Sequence, residues 1–540
     1  MDMSEPTGTG AWGPPVVVET HGALIFLWGD KAHKIRKPLD LGFLDNRTPT
    51  ARAEQSRREV ELNSRLAPDV YLGVLEVRRS RGRNPDNPGN DDDVVDHVVE
   101  MRRLPERLSL ARLVRERQAG SRRVGDTDIV AGLGEVARQI AQLHDQSPRT
   151  MEIDDAGLQD TLHGLWAESL EHLRRLEVGR DAREIVDDIA VLSYDYLRGR
   201  GPLLRSRIDA GRIVDGHGDL LAADVYLMED GPRIIDCLEF DDRLRYGDAI
   251  LDIGFLAMDL DRLGATDLAV VVVDSYRAAS GDDAPTSLAH HYLAYRALVR
   301  AKVTAIRAEQ GEGPAAIADA RLALQLADRA VDSLLRGRVR LVLVGGVSGS
   351  GKSTLAAALA DSLGAELLRS DVVRLELREG SAGTAGSAGP AGSAGSSGAA
   401  EGYSASAMDA VYGELLARAA RLLEHGRSVV LDATWLKPRR RAEAETVAAD
   451  THAELVEIAC TAPRDELARR ITERARGGAD PSEATVEVLD AQLSDLGPWP
   501  DAIEVDTVAL DVRDAAAVHE WAGRELGPLP WACLPGGRRD

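Results

Sequence analysis

One run constrains this chain more than any other: VRLVLVGGVSGSGKSTLAAALADSL, residues 339–363. Its opening, VRLVLVGG, reads as a near-continuous apolar strand of the kind a parallel sheet buries on both faces. Residues 346–353, GVSGSGKS, fill the pattern G-x-x-x-x-G-K-[ST] completely, and TLAAALADSL continues as a helix. Strand, glycine-rich turn and helix, in that order, are the context in which this pattern binds phosphate. Gly346, Gly349 and Gly351 let the backbone curl so that its amides face phosphate oxygens. The helix N-terminus adds partial positive charge. Lys352 is expected to reach the β/γ-phosphates of ATP and Ser353 to hold Mg²⁺, with Val347, Ser348, Ser350 and Thr354 completing the loop.

The segments after this run keep alternating. Strands are expected at 339–345, 366–369, 428–432, 453–460 and 501–506. Helices are expected at 352–363, 406–425, 438–449, 464–476 and 482–493. That is the plan of a doubly wound α/β domain with a parallel sheet. The domain is expected to span 337–510, with 511–540 as a C-terminal extension and a boundary near 335–338. Within it, EGSAGTAGSAGPAGSAGSSGAAEG (379–402) has no core-forming residues and reads as a flexible insertion, either a tolerant surface loop or a flap over substrate.

Several side chains in this half suit phosphoryl transfer. Asp432 ends the apolar strand SVVLD, where a carboxylate can hold the water shell of Mg²⁺; capping the next helix is the alternative. Asp371 in LLRSDVVR can accept the proton of an acceptor hydroxyl, with Arg374 gripping substrate; an N-cap is the alternative. Arg470 and Arg474 stand at i, i+4 on one helix face, placed to neutralise charge on a transferring phosphoryl group or to form a solvated basic face. GGVSGSGKST, RSDVVR, VVLDATW, RRITER and DPSEATVEVLDAQ together resemble the P-loop kinases that include gluconate-kinase-like, zeta-toxin-like and polynucleotide-kinase-like enzymes. That resemblance implies acceptor contact by Asp371 and ATP contact by Arg470 and Arg474.

A second constellation lies upstream. GHGDL (216–220) is followed by LAADVYL and RIIDCLEFDD, which space Asp219, Asp224 and Asp236 so that two strands and a tight turn bring them to one sheet end. Asp219 can orient and deprotonate a hydroxyl. Asp224 and Asp236 can share Mg²⁺ bound to ATP phosphates. His217 reads as a loop-holding side chain. Lys34 in HKIRKP and Glu59 in RREVELNSRL supply the Lys–Glu pair that kinases require. The order Lys, Glu, HGD, IID over residues 16–336 resembles the aminoglycoside-phosphotransferase and choline-kinase branch of the protein-kinase fold. With the P-loop half behind it, the whole chain resembles bacterial fusions of such a domain with an AAA-family ATP-binding domain. The resemblance implies an α+β bilobal N-terminal domain, VVEMRRLP (98–105) as the hinge against adenine, Asp219 as the catalytic Asp and Asp236 as the metal Asp. Two departures stand out. Asp224 occupies a position that is commonly Asn, and THGALIFLWGD carries no G-x-G-x-x-G loop.

Composition narrows the function classes. The formal net charge is −23, which disfavours nucleic acid and anionic lipid as partners. No apolar run reaches ~18–20 residues, the length of a membrane-spanning helix. Residues 1–15 lack signal-peptide character and are expected to be frayed. Three cysteines far apart, Cys237, Cys460 and Cys533, fit a reducing cytoplasm better than a disulfide framework. Six of the 66 basic residues are Lys (31, 34, 37, 302, 352 and 437), and Lys34 and Lys352 fall at the two expected phosphate sites. The expectation is therefore a cytoplasmic, Mg-dependent, ATP-using kinase of a small-molecule hydroxyl. The alternative is an ATP-sensing regulator whose N-terminal half performs no chemistry. The acceptor and the oligomeric state are not legible.

Overall fold

The computed structural model describes residues 14–20, 22–40, 45–80, 92–120, 126–175, 180–384, 405–477 and 485–531. Most of the expected frayed start and the 379–402 insertion from residue 385 onward lie outside these residues. Before that point the helix Ser370–Thr384 runs into the insertion. Extending an existing helix costs less than starting one, so residues 379–384, expected in the loop, are helical.

Two compact units divide the chain: Met1–Gly157 with Gly211–Asp283, and Leu158–Ala210 with Ala284–Asp540. The first contains strands β1 (Val16–Glu19), β2 (Ala23–Trp28), β3 (Lys31–Arg36), β4 (Tyr71–Ser80) and β5 (Asp92–Arg102), in an antiparallel sheet ordered β1-β2-β3-β5-β4. The helix Pro49–Asn63 packs on β5 and β4. Thr48 starts it by accepting the Ala51 amide, and Pro49 opens the first turn. Ala32, Ala67, Val70, Tyr71, Val99 and Met101 form the core between sheet and helix. Downstream, β6 (Ile213–Asp215) pairs with β9 (Tyr246–Asp248), and β7 (Val225–Met228) pairs with β8 (Gly231–Ile234), both antiparallel. The helices Asp126–Asp145, Ala249–Arg262 and Thr266–Ser280 pack beside these hairpins. A small antiparallel sheet with one helix, then a helical part carrying two short strand pairs, is the α+β, two-part plan expected of this half.

The second unit holds a five-stranded parallel sheet: β10 (Arg340–Gly345), β11 (Glu366–Arg369), β12 (Val429–Asp432), β13 (Glu454–Thr461) and β14 (Ile503–Asp506), ordered β11-β12-β10-β13-β14. Every residue of β10 is buried. The order reverses at β10, so the crevice at the carboxyl ends of the strands opens where the glycine-rich turn leaves it. This is the doubly wound α/β domain read from the alternation.

The sequence expectation cut the chain near 335–338. The compact units instead group the helices of 158–210 and 284–336 with the parallel sheet. Arg200 donates to the carbonyls of Thr451 at 2.9 Å and His452 at 3.2 Å, and Ser287 donates to Gly426 O at 2.6 Å. Contacts between distant stretches carry no local sequence signal, so the grouping was not readable. Within the expected extension, the described residues 511–531 pack on the sheet domain. The helix Ala515–Glu525 packs on the helix Lys352–Leu363, and Val512, Val518, Trp521, Ala522 and Leu526 join the core of β10, β12 and β13. A doubly wound sheet needs helices on both faces, and this one completes the cover. Among the described residues no helix is long and apolar enough to cross a membrane.

Candidate active sites

The glycine-rich turn is built around three positive φ angles: +139° at Gly346, +81° at Gly349 and +86° at Gly351. Side chains rarely adopt these angles. A Cβ at Gly346 would also lie 2.7 Å from Cys460 O, and one at Gly349 2.7 Å from Leu467 O. The turn is braced from outside. Gly346 N–H donates to Thr434 O at 3.1 Å, Ser348 N–H to Gln492 Oε1 at 2.7 Å and Ser350 N–H to Val347 O at 3.2 Å. The helix Lys352–Leu363 makes its first ladder bond at Leu355 N–H to Gly351 O. The amides of Lys352, Ser353 and Thr354 precede it and are available to an anion.

Asp432 pairs in register with Val344, two residues before the turn, and is buried. Its Oδ2 accepts Arg369 Nε at 3.1 Å, while its Oδ1 has no hydrogen-bond partner among the described residues. A buried carboxylate oxygen without a donor is costly and suits a hydrated cation. Burial pushes the Cys460 thiol up to about 12; the Lys352 charge opposes that rise and the Asp432 charge adds to it. Asp371 pairs with Arg374 at 3.0 Å. Arg470 bonds Glu466 at 2.6 Å, Thr507 Oγ1 at 2.9 Å and Gly349 O at 3.4 Å, and Thr507 donates to Ser350 O at 2.7 Å. Arg470 thus braces the turn and the end of β14. Arg474, one helical turn further along, is half-buried. Sequence reasoning gave no role to Arg369 and Gln492, which lie inside RSDVVR and DPSEATVEVLDAQ, and missed Thr507, which lies in no motif.

In the first unit, Lys34 Nζ lies 2.8 Å from Glu59 Oε1 and 3.5 Å from Asp236 Oδ1. Burial would lower the Lys34 pKa, but the charges of Glu59, Asp236 and Glu239 hold it above the ordinary range. The Lys34 charge in turn depresses the Asp236 carboxyl. Asp236 is solvent-exposed and adopts φ +65°, a strained conformation for a side-chain-bearing residue. Its amide donates to Tyr71 Oη at 3.2 Å, and the next amide, Cys237 N–H, donates to Asn63 Oδ1 at 2.8 Å.

Asp224 closes a short 3₁₀ turn immediately before β7, and its carbonyl accepts Ile235 N–H at 3.0 Å. Asp224 and Asp236 therefore flank the same end of the β7–β8 hairpin. Leu238 N–H donates to His217 O at 3.1 Å, which brings the GHGDL loop and the half-buried Asp219 to that end too. His217 is fully buried. Its Nε2 meets Ile235 O at 3.1 Å, and desolvation lowers its pKa, so it holds the loop as a neutral ring.

Asp252, missed by sequence reasoning, supports that loop. Its carboxylate accepts His217 N–H at 2.7 Å, Gly218 N–H at 2.9 Å and His144 Nε2 at 3.0 Å. The signal was there: a carboxylate inside the apolar helix AILDIGFLAMDLDR has to be satisfied.

Comparison with known proteins places these observations. The AAA domain family matches residues 341–499. Solved structures to which the chain is similar include a choline/ethanolamine kinase family protein from Mesorhizobium loti (14% identical, 60% of this chain and 92% of that one, TM-score 0.34). A thermostable mutant of aminoglycoside phosphotransferase APH(4)-Ia is 12% identical over 60% of this chain and 95% of that one, with a TM-score of 0.35. A gluconokinase from Sinorhizobium meliloti 1021 is 23% identical over 34% of this chain and 94% of that one, with a TM-score of 0.24. Along nearly its full length the chain is similar to Rv2004c of Mycobacterium tuberculosis (strain ATCC 25618 / H37Rv) and Mb2027c of Mycobacterium bovis. Each is 38% identical over 506 residues, 94% of this chain and 95% of theirs. The chain belongs to the family of Rv2004c, with the AAA domain in its C-terminal part.

Proposed function

We propose that the protein is an ATP-dependent, Mg²⁺-requiring phosphotransferase acting on a hydroxyl of a small molecule, with a nucleotide site in each half. The observation that carries this reading is the complete phosphate loop at the sheet's switch point, beside a buried Asp432 oxygen with no hydrogen-bond donor. In the C-terminal half, the turn and Lys352 bind phosphate, Ser353 and Asp432 would hold the cation, and Arg470 keeps the turn shaped. Mg²⁺ supplies charge neutralisation between phosphate oxygens when bound. Asp371 takes the acceptor proton once Arg374 turns to substrate, and Arg474 faces the transferring group.

In the N-terminal half, Lys34, fixed by Glu59, binds phosphate, Asp219 orients the hydroxyl, and Asp224 and Asp236 would hold the cation. Among the described residues no three His, Cys, Asp or Glu side chains form a self-sufficient metal cage. The nucleotide's phosphates would supply the remaining oxygen ligands there. The functional assignments follow the sequence domains 16–336 and 337–510. The charge of −23 argues against a nucleic-acid acceptor, and the sparse, dispersed cysteines fit the cytoplasm.

The test uses the full chain with γ-labelled ATP, Mg²⁺ and a metabolite extract. Label is expected on a small molecule bearing a hydroxyl, with transfer lost in Lys352→Ala, in Asp219→Asn, or in one of them for each acceptor. ATP consumption and labelling indifferent to both substitutions would contradict the reading. Asp224, a third carboxylate where phosphates must bind, favours the regulatory alternative. ATP binding by the unsubstituted chain with no label transferred to any small molecule would support it.

A further inference from the structure

The Lys–Glu pair is part of a larger charge cluster. Glu59 is divided between two cations: Oε1 takes Lys34 at 2.8 Å and Oε2 takes Arg36 Nη2 at 2.6 Å. The same Arg36 nitrogen reaches Glu239 Oε1 at 2.8 Å. Lys34 and Arg36, two apart on β3, point to one face of the sheet. Glu239 lies three residues after Asp236, on the loop whose amides are held by Tyr71 and Asn63. Arg36 is 5% exposed and the Glu59 side chain 1%. Nothing in the Lys–Glu–Asp scheme calls for Arg36 or Glu239.

The arrangement has a physical consequence. Without Arg36, the buried carboxylates of Glu59 and Glu239 would face each other with Lys34 as the nearest cation. Like charges at this depth repel strongly. Lys34 would be drawn among Glu59, Glu239 and Asp236, and the loop end would be pushed from the sheet. We propose that Arg36 is a positioning residue of the N-terminal nucleotide site: it joins Glu59 to Glu239, so that Glu59 fixes Lys34 and the Asp236 loop is set for a nucleoside triphosphate. This rests on the nucleotide reading of the N-terminal half given above.

The test measures binding of N-methylanthraniloyl-ATP with Mg²⁺ to the full chain carrying Lys352→Ala, which leaves the N-terminal site to be read. Arg36→Met is expected to weaken binding roughly five- to twentyfold, as couplings between contacting charges do. Adding Glu239→Gln removes the stranded carboxylate and is expected to restore binding to within about threefold of the parent. In a Lys34→Ala background, Arg36→Met is expected to cost less than about twofold more, because its effect runs through Lys34. Unchanged binding in Arg36→Met overturns the proposal, as does an equal loss with Lys34 already absent. If Arg36→Met alone fails to fold, the Arg36→Met/Glu239→Gln chain carries the test. Near-parent binding supports the proposal, and persistent loss in that folded chain overturns it. A Lys352→Ala parent that binds no analogue is a different failure: it overturns the N-terminal nucleotide reading and the proposal with it.

Discussion

Asp252 shows how much one side chain organises. Burial alone would raise its carboxyl, but the hydrogen bonds from His144 and from the His217 amide hold it well below the usual carboxylate range. Asp252→Asn keeps the shape and loses the charge, and is predicted to destabilise the first unit by ~2–3 kcal/mol in urea unfolding. An unchanged midpoint would contradict this. The native carboxyl titrates below its unfolded value of ~3.9. Its contribution is therefore complete above that pH and is lost as pH falls toward the native value, so the Asn variant should show a shallower acid limb. Burial likewise pushes the thiols of Cys237 up to about 11 and Cys460 up to about 12. Both are predicted to resist iodoacetamide at about pH 8 until the chain unfolds; mass spectrometry of native, alkylated protein detects any failure. Lys34 and Glu59 were legible because their order along the chain is distinctive. Arg36 was not, because one arginine among many carries no signal of its own.

At the scale of elements, the parallel sheet was the easiest part to read. β10 is apolar from Leu341 onward, and the five strands of the sheet fall within a residue or two of their expected positions. The C-terminal helix Ala515–Glu525 was the hardest, because an amphipathic helix beyond the last strand looks the same whether it docks or dangles. Docking has an energetic signature. Trp521 is 8% exposed within the core shared with Val344 and Leu359. Trp521→Ala is predicted to cost ~3–5 kcal/mol and to lower the thermal midpoint of the P-loop unit. A variant with parental stability would mean that the helix is peripheral. The Gly346 position gives a complementary test. Any side chain there meets Cys460 O at 2.7 Å in a backbone conformation that favours glycine. Gly346→Ala is predicted to weaken ATP binding at least about tenfold by deforming the turn, and a calorimetric constant equal to the parent's would count against the geometry.

For the whole molecule, the sequence displayed two phosphate-type constellations but not how the chain partitions into compact units. Motifs are local, whereas the helices 158–210 and 284–336 join the P-loop unit through contacts such as Arg200 with Thr451, across some 250 residues of chain. Nor did the sequence name an acceptor, because acceptor recognition depends on shape rather than on a residue pattern. The central claim is that both halves of one chain bind nucleotide. Calorimetric titration of the full chain with Mg·ATP tests it most directly. The account predicts two sites per chain, one abolished by Lys352→Ala and the other weakened by Lys34→Ala. A single site of either kind, or no binding at all, would contradict it.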